Sequence, residues 1–266
     1  MLEDLKATGY DGVEVPVFEG EPDGFARIGA MLDELGLERT AISATGSEAH
    51  NPVSPDAEVR SAAVDHLRHV VDCTAAAGAD AVGGPLQQTL GWFSGSAPTD
   101  AERGWARDVL RAAGDHAGER GVKIVLEAVN RFEAYLATTM GQLADLLDAV
   151  DHPAVTGMYD TFHANLEERD PVAAFTDNVR HVSHIHISEN DRGVPGRGHV
   201  PWQETFAAIA ASGYDNWLTI EAFGRGLPDL AAATCIWRDL FESPEVVYRE
   251  GFAHIRDGLV AAAAPA

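Results

Sequence analysis

Four ionisable residues each close a short apolar run. Glu127 ends KIVLE, Asp160 ends VTGMYD, His186 lies near the end of HVSHIHIS, and Glu221 ends WLTIE. Their separations are 33, 26 and 35 residues, each about the length of one strand–helix unit. Three carboxylates and one imidazole form a mostly oxygen donor set, suited to Mn2+, Co2+ or Mg2+ and less to structural zinc, which favours sulfur and nitrogen. Gathering three buried carboxylates without a cation would cost many kcal/mol or force them to protonate, and a divalent ion removes that conflict. A single acidic residue at a strand end is an ordinary polar terminus. Four at unit spacing make Glu127, Asp160, His186 and Glu221 a candidate metal centre.

Three further polar groups follow these residues within one loop each. Glu133 comes six residues after Glu127 in LEAVNRFE, His163 three after Asp160 in DTFHAN, and Arg192 six after His186 in HISENDR. That placement makes them candidate contacts to substrate hydroxyls. His184 shares a strand face with His186, because strand side chains alternate with period two, and it is a rival ligand on that ground. Its deeper position in the strand reads instead as a hydrogen-bonded core histidine.

The elements that must position these groups alternate regularly along the chain. Strand patterns fall at 12–16, 39–44, 79–83, 122–127, 155–160, 181–188 and 217–221. Amphipathic helical patterns fall at 2–8, 25–35, 56–77, 99–120, 139–150, 171–178 and 202–211, with a last apolar helical region over 227–259. Gly36, Gly78, Gly121 and Gly213 each follow a helical pattern and precede a strand, as a left-handed C-cap requires. Repeated strand, helix and glycine turn imply an α/β fold with parallel strands, either an open doubly wound sheet or a closed (β/α)8 TIM barrel. The clusters at 83–85 and 195–198 lack the spacing of a dinucleotide or phosphate loop, and the length suits the barrel. In such a barrel functional groups gather at the C-terminal ends of strands, where the four residues lie. The count is seven strands, with no strand ahead of the helix at 2–8.

Composition bounds the remaining possibilities. The 266 residues suit a single domain, taken as 1–260, followed by a short alanine-rich tail at 261–266 that is expected to fray. Acidic residues outnumber basic ones 42 to 19, a formal charge of −23 that would repel nucleic acid or an anionic membrane. Cys73 and Cys235 read as two buried thiols rather than a disulfide. The first residues lack the pattern of a secretory signal, and no apolar run reaches membrane-spanning length, so a cytoplasmic protein is expected.

The segments LEAVNRFE (126–133), DTFHAN (160–165), HISENDRGVPG (186–196) and Ile220-Glu221 resemble the ketose 3-epimerases, the D-tagatose and D-psicose 3-epimerases within the xylose-isomerase-like barrels. The resemblance extends over about 2–259. It implies a divalent metal, Mn2+ first and Co2+ or Mg2+ next, on Glu127, Asp160, His186 and Glu221. It also implies substrate contacts from Glu133, His163 and Arg192, and a second role for Glu127 and Glu221 as an acid/base pair. One glutamate would take the C3 proton of an open-chain ketose, leaving a cis-enediolate, and the other would return a proton to the opposite face. Two carboxylates suit inversion, because a single group returns the proton to the face it left. A small-molecule sugar as partner and a homodimer or homotetramer are further implications.

The chain departs from this family at its start, where members carry a first strand with no equivalent here. Either the start is set too late, or the barrel closes with a gap between the strands at 12–16 and 217–221. An aldose–ketose or hydroxypyruvate-type isomerase, or a lyase acting on a 3-keto glycoside, would use the same proton abstraction beside a carbonyl. A catalytically impaired sugar-binding barrel is the non-enzymatic alternative. An apurinic-site endonuclease of the same barrel class would want a basic groove, which the charge disfavours.

Overall fold

A computed structural model describes residues 1–263. Its seven strands are β1 (Gly12–Pro16), β2 (Glu38–Ile42), β3 (Ala81–Gly84), β4 (Lys123–Glu127), β5 (Val155–Asp160), β6 (Val182–Ile187) and β7 (Trp217–Ile220), all parallel and in sequence order across one sheet. The helices are α1 (Leu2–Thr8), α2 (Pro22–Leu35), α3 (Ala57–Ala76), α4 (Asp100–Arg120), α5 (Met140–Val150), α6 (Thr161–Glu167), α7 (Pro171–Asn178), α8 (Trp202–Ser212), α9 (Pro228–Ala233) and α10 (Pro244–Ala263). The sheet curls into a nearly closed TIM barrel, as the alternating pattern predicts.

Strands covered on both sides are apolar on both sides, and in β4 Ile124, Val125, Leu126 and Glu127 are all buried. Along β5 the alternation assigns a direction to each residue. A Cβ on Gly157 would meet Leu143 and Leu147 of α5, whereas Met158 points inward against Gly83. Tyr159 turns outward onto Phe175 of α7, and so Asp160 returns to the interior at the mouth. The core outside the strands is built from the apolar faces of α3, α4 and α5, including Leu67, Val71, Leu110, Leu143 and Leu147.

β1 and β7 are the two edges of the sheet, so the gap expected from the sequence is present among the described residues. Side chains fill part of it. A Cβ on Gly12 would fall 2.7 Å from the indole of Trp217 and 2.3 Å from the Glu38 carbonyl oxygen, so glycine is what lets the β7 tryptophan lie against β1. Outside this seam, the Tyr10 hydroxyl donates to the Tyr248 carbonyl at 2.8 Å, and its ring packs on Phe252 of α10.

Three sequence expectations need correction. The segment after Asp160 is not a loop: α6 begins at Thr161, because Asp160 ends the strand and caps the helix at once. The apolar region at 227–259 divides into α9 and α10, and Cys235 between them is exposed and has φ of 58°, so only Cys73 is a buried thiol. The last helix runs through Ala263, three residues past the boundary drawn at 260, and residues 264–266 of the expected frayed tail lie outside the described residues.

Candidate active site

Each strand-end group reaches the mouth by a distinct local device. Asp160 Oδ1 accepts from the backbone N–H groups of Phe162 (2.6 Å) and His163 (3.1 Å), the N-cap bonds of α6. Its Oδ2 is left facing the interior, 3.6 Å from His186 Nδ1 and 3.2 Å from Arg192 Nη1. Glu221 stands one residue beyond β7, and its N–H continues the ladder to the Ile187 carbonyl at 3.2 Å. Its Oε1 lies 3.5 Å from His186 Nδ1, with 18% of the side chain exposed. Glu127 is buried at the end of β4, with Oε1 3.6 Å from His163 Nε2 and without a hydrogen-bond partner.

Arg192 ties these groups together. Its backbone sits in the left-handed region at φ 65°, and its guanidinium lies over the Phe162 ring with 3.9 Å to the centroid. Nη1 donates to Asp160, to Glu221 and to Ser188 Oγ, and Nη2 donates to His163 Nε2 at 2.9 Å. The loop carrying Arg192 is organised by Glu189, whose buried carboxylate accepts from the N–H groups of Asn190 (3.0 Å), Gly196 (2.8 Å) and Val200 (3.2 Å) and from Trp202 Nε1 (2.9 Å). Glu133 Oε1 accepts from Asn130 Nδ2 at 2.6 Å. Glu127, Glu133, His163, Arg192 and Glu221 all line one cavity of about 2080 Å3, which extends along β1 and β7.

Burial and mutual charge set the protonation of the site. Burial, then the charges of Asp160 and Glu221, push the Glu127 carboxyl well above the usual carboxylate range. Burial acts the same way on Asp160, but the Arg192 guanidinium outweighs it and holds this carboxyl well below that range. His163 is pushed down to about 3 by burial and by Arg192, and is therefore neutral near pH 7. Burial raises Glu133, partly offset by the Asn130 bond and Arg192.

The four expected metal ligands come together as two overlapping groups that share Asp160. Asp160, His186 and Glu221 form one; Glu127, Asp160 and His163 form the other; in each, the candidate ligand atoms lie within 4.8 Å of one another. His163, expected as a substrate contact, thus stands among the donors beside Glu127. The residues fit a divalent cation on direct grounds: Glu127 Oε1 and His186 Nδ1 are buried donor atoms without hydrogen-bond partners, set among carboxylates that repel one another.

Glu14 is the residue that the sequence reading missed. It projects from the middle of β1 and contacts both histidines of β6: His184 Nε2 lies 3.1 Å from one carboxylate oxygen and His186 Nε2 3.0 Å from the other. A lone carboxylate between Val13 and Val15 in an otherwise apolar strand was the available signal. His184 is buried as its depth in the strand suggested, but its Nε2, although close to Glu14, has no hydrogen-bond partner, so it is not the hydrogen-bonded core histidine expected.

The family profile described as the xylose isomerase-like TIM barrel matches residues 2–258. The chain belongs to that family. Among its relatives, a probable ketose 3-epimerase of Synechocystis sp. is 27% identical over 96% of this chain and 89% of its own length. The ketose 3-epimerase of Arthrobacter globiformis is 29% identical over 98% of this chain and 90% of its own. The crystal structure of D-psicose 3-epimerase with D-tagatose from Clostridium cellulolyticum H10 superposes with a TM-score of 0.88 at 26% identity, covering 97% of this chain and 92% of that one. The resemblance read from the four motif segments is borne out by these relatives. No helix among the described residues is long and apolar enough to cross a membrane.

Proposed function

We propose that this protein is a metal-dependent ketose 3-epimerase acting on a free sugar. The observation that carries the reading is the gathering of Glu127, Asp160, His186 and Glu221 into two donor groups that share Asp160, with Glu127 and Glu221 lining the cavity, in a chain whose full-length relatives are named 3-epimerases. Asp160, His186, Glu221 and Glu127 are the residues that would hold the ion, Mn2+ in the first instance and Co2+ or Mg2+ as alternatives. When bound, a divalent ion supplies Lewis-acid stabilisation of negative charge on the substrate oxygens.

The protein's own groups account for the proton movements. Glu127 and Glu221 reach the cavity from strands three positions apart, which allows one to act on each face of the substrate. One carboxylate removes the proton from C3, and the C–H electron pair moves into a C2–C3 double bond as the C2 carbonyl oxygen becomes an enediolate oxygen. The other glutamate delivers a proton to the opposite face of C3, and the carbonyl reforms. Arg192 supplies hydrogen-bond donors for substrate oxygens and Glu133 an acceptor for a hydroxyl, while neutral His163 lies beside them as a further substrate contact and holds Arg192 by accepting from it at Nε2. The same reading carries a cytoplasmic location, to which two free cysteines are suited, and a homodimer or homotetramer.

The test is proton NMR in D2O with Mn2+-activated enzyme, later quenched with chelator, against D-psicose, D-tagatose, L-ribulose and a 3-keto glycoside. Deuterium entering C3 together with formation of the C3 epimer is the expected result. Exchange at C1 with formation of an aldose would replace the epimerase by an isomerase, and absence of exchange on every substrate would reduce the protein to a binding barrel.

A further inference from the structure

The carboxylate of Glu14 projects from the middle of β1 and not from a strand end, yet it touches His186, the imidazole near the end of β6. β1 and β6 are not neighbours in the sheet, so the contact crosses the seam, and the two residues are 172 positions apart in the chain. Glu14 is only 10% exposed and spans the two inward-facing histidines of β6, accepting from His186 at 3.0 Å and from Thr40 Oγ1 at 3.3 Å and lying 3.1 Å from His184 Nε2. The rings of His184 and His186 meet edge to face, with 5.2 Å between centroids, which limits rotation of either.

The two ring nitrogens of His186 consequently face different partners. Nε2 lies 3.0 Å from Glu14 and donates to it. Nδ1, at the other edge, is buried without a hydrogen-bond partner and faces Asp160 Oδ2 at 3.6 Å and Glu221 Oε1 at 3.5 Å. A histidine that donates one ring N–H to a carboxylate has its tautomer and ring angle fixed, and its free nitrogen becomes a stronger donor to a cation. We infer that Glu14 is a positioning residue for the metal centre: its bond to Nε2 orients His186 so that Nδ1 is the atom offered to the ion, and His184 braces the other carboxylate oxygen. This rests on the reading above that Asp160, His186 and Glu221 hold a divalent cation. Glu14, His184 and His186 could by spacing hold an ion of their own, since their candidate atoms also lie within 4.8 Å of one another. With an ion already on Nδ1, that arrangement would strip both ring protons from His186, whereas the hydrogen bond from Nε2 to Glu14 keeps one of them.

The experiment measures metal binding rather than turnover. Wild-type protein and Glu14→Gln, both stripped with chelator and checked for folding by circular dichroism, are titrated with Mn2+ by calorimetry. We expect one ion per wild-type chain and about 10- to 100-fold weaker binding in Glu14→Gln, the loss typical when an outer partner of a ligating histidine is removed. Should Glu14→Gln fail to fold, nitrogen-15 NMR of histidine-labelled, Mg2+-loaded wild type gives the same answer, with His186 assigned by its loss in His186→Gln. Protonated Nε2 and unprotonated Nδ1 are expected. Equal affinity in the two folded proteins, protonation of His186 on Nδ1, or two ions per chain would each overturn the role of Glu14. Failure of wild type to bind Mn2+ would overturn the metal reading itself, a result distinguishable from the others.

Discussion

Replacing Glu189 by Gln should damage both stability and the active site, because one buried carboxylate holds the whole loop between β6 and α8. Four donors converge on it: three backbone N–H groups and the Trp202 indole. The amide keeps the shape but has one acceptor oxygen, and its NH2 group turns toward donors where the carboxylate had its second oxygen. The bonds from Gly196 and Trp202 both go to Oε2, so that side loses two acceptor contacts, of which the Trp202 contact is fully buried. At about 1–3 kcal/mol for each donor left unsatisfied, the expected loss is about 2–6 kcal/mol. For a chain of this size that lowers the melting midpoint by roughly 5–20 °C. Arg192 lies in this loop with a left-handed backbone, and its guanidinium bridges Asp160, Glu221 and His163, so catalytic turnover should fall even at temperatures where the variant is folded. Thermal unfolding followed by circular dichroism gives the first number, and the C3 exchange rate at a temperature well below the melt gives the second. A midpoint within about 2 °C of wild type, with unchanged exchange, would refute the reasoning, since it would mean that the donors find water at no cost.

Glu221→Gln should leave the melting midpoint near that of wild type and lower kcat by about 10²–10⁴, the usual contribution of a general acid or base; retained C3 exchange would remove the proposed pair. Treatment with EDTA should abolish exchange, and Mn2+ or Co2+ should restore it; activity indifferent to both would sink the metal reading. The pH dependence of stability should carry a contribution from His163. Its folded value of about 3 lies below the ordinary 6.5, so the unfolded chain binds the extra proton first, and stability is full above about pH 6.5 and declines as pH falls toward 3. In chelator-treated protein the melting midpoint of His163→Gln should fall less steeply than that of wild type across this window; parallel curves would show that His163 is not held neutral in the fold.

The strand-end residues were readable because two simple periods coincide at them. Alternation within a strand of period two fixes which side chains turn inward, and the length of one strand–helix unit fixes how often a strand end recurs. Glu127, Asp160, His186 and Glu221 satisfy both, and the structure brings them together as two groups that share Asp160. His163 was readable as a nearby group but not as a neighbour of Glu127 at 3.6 Å, because that contact depends on α6 starting directly at Asp160. The division of 227–259 was signalled by Pro244, on which α10 begins, but the exposure of Cys235 depends on how the segment between α9 and α10 packs.

The sequence by itself determined the alternating architecture, the parallel sheet, the seven-strand count and the four groups that face the mouth, because each follows from local periodicity and from spacing along the chain. Only the tertiary structure decided how the open edges of β1 and β7 are arranged, which carboxylate stands behind His186, and how Asp160 divides its two oxygens between a helix cap and the site. These are matters of distance between residues remote in the chain. Glu14 and His186, 172 positions apart, meet because curling the sheet closes an angle that no local pattern records.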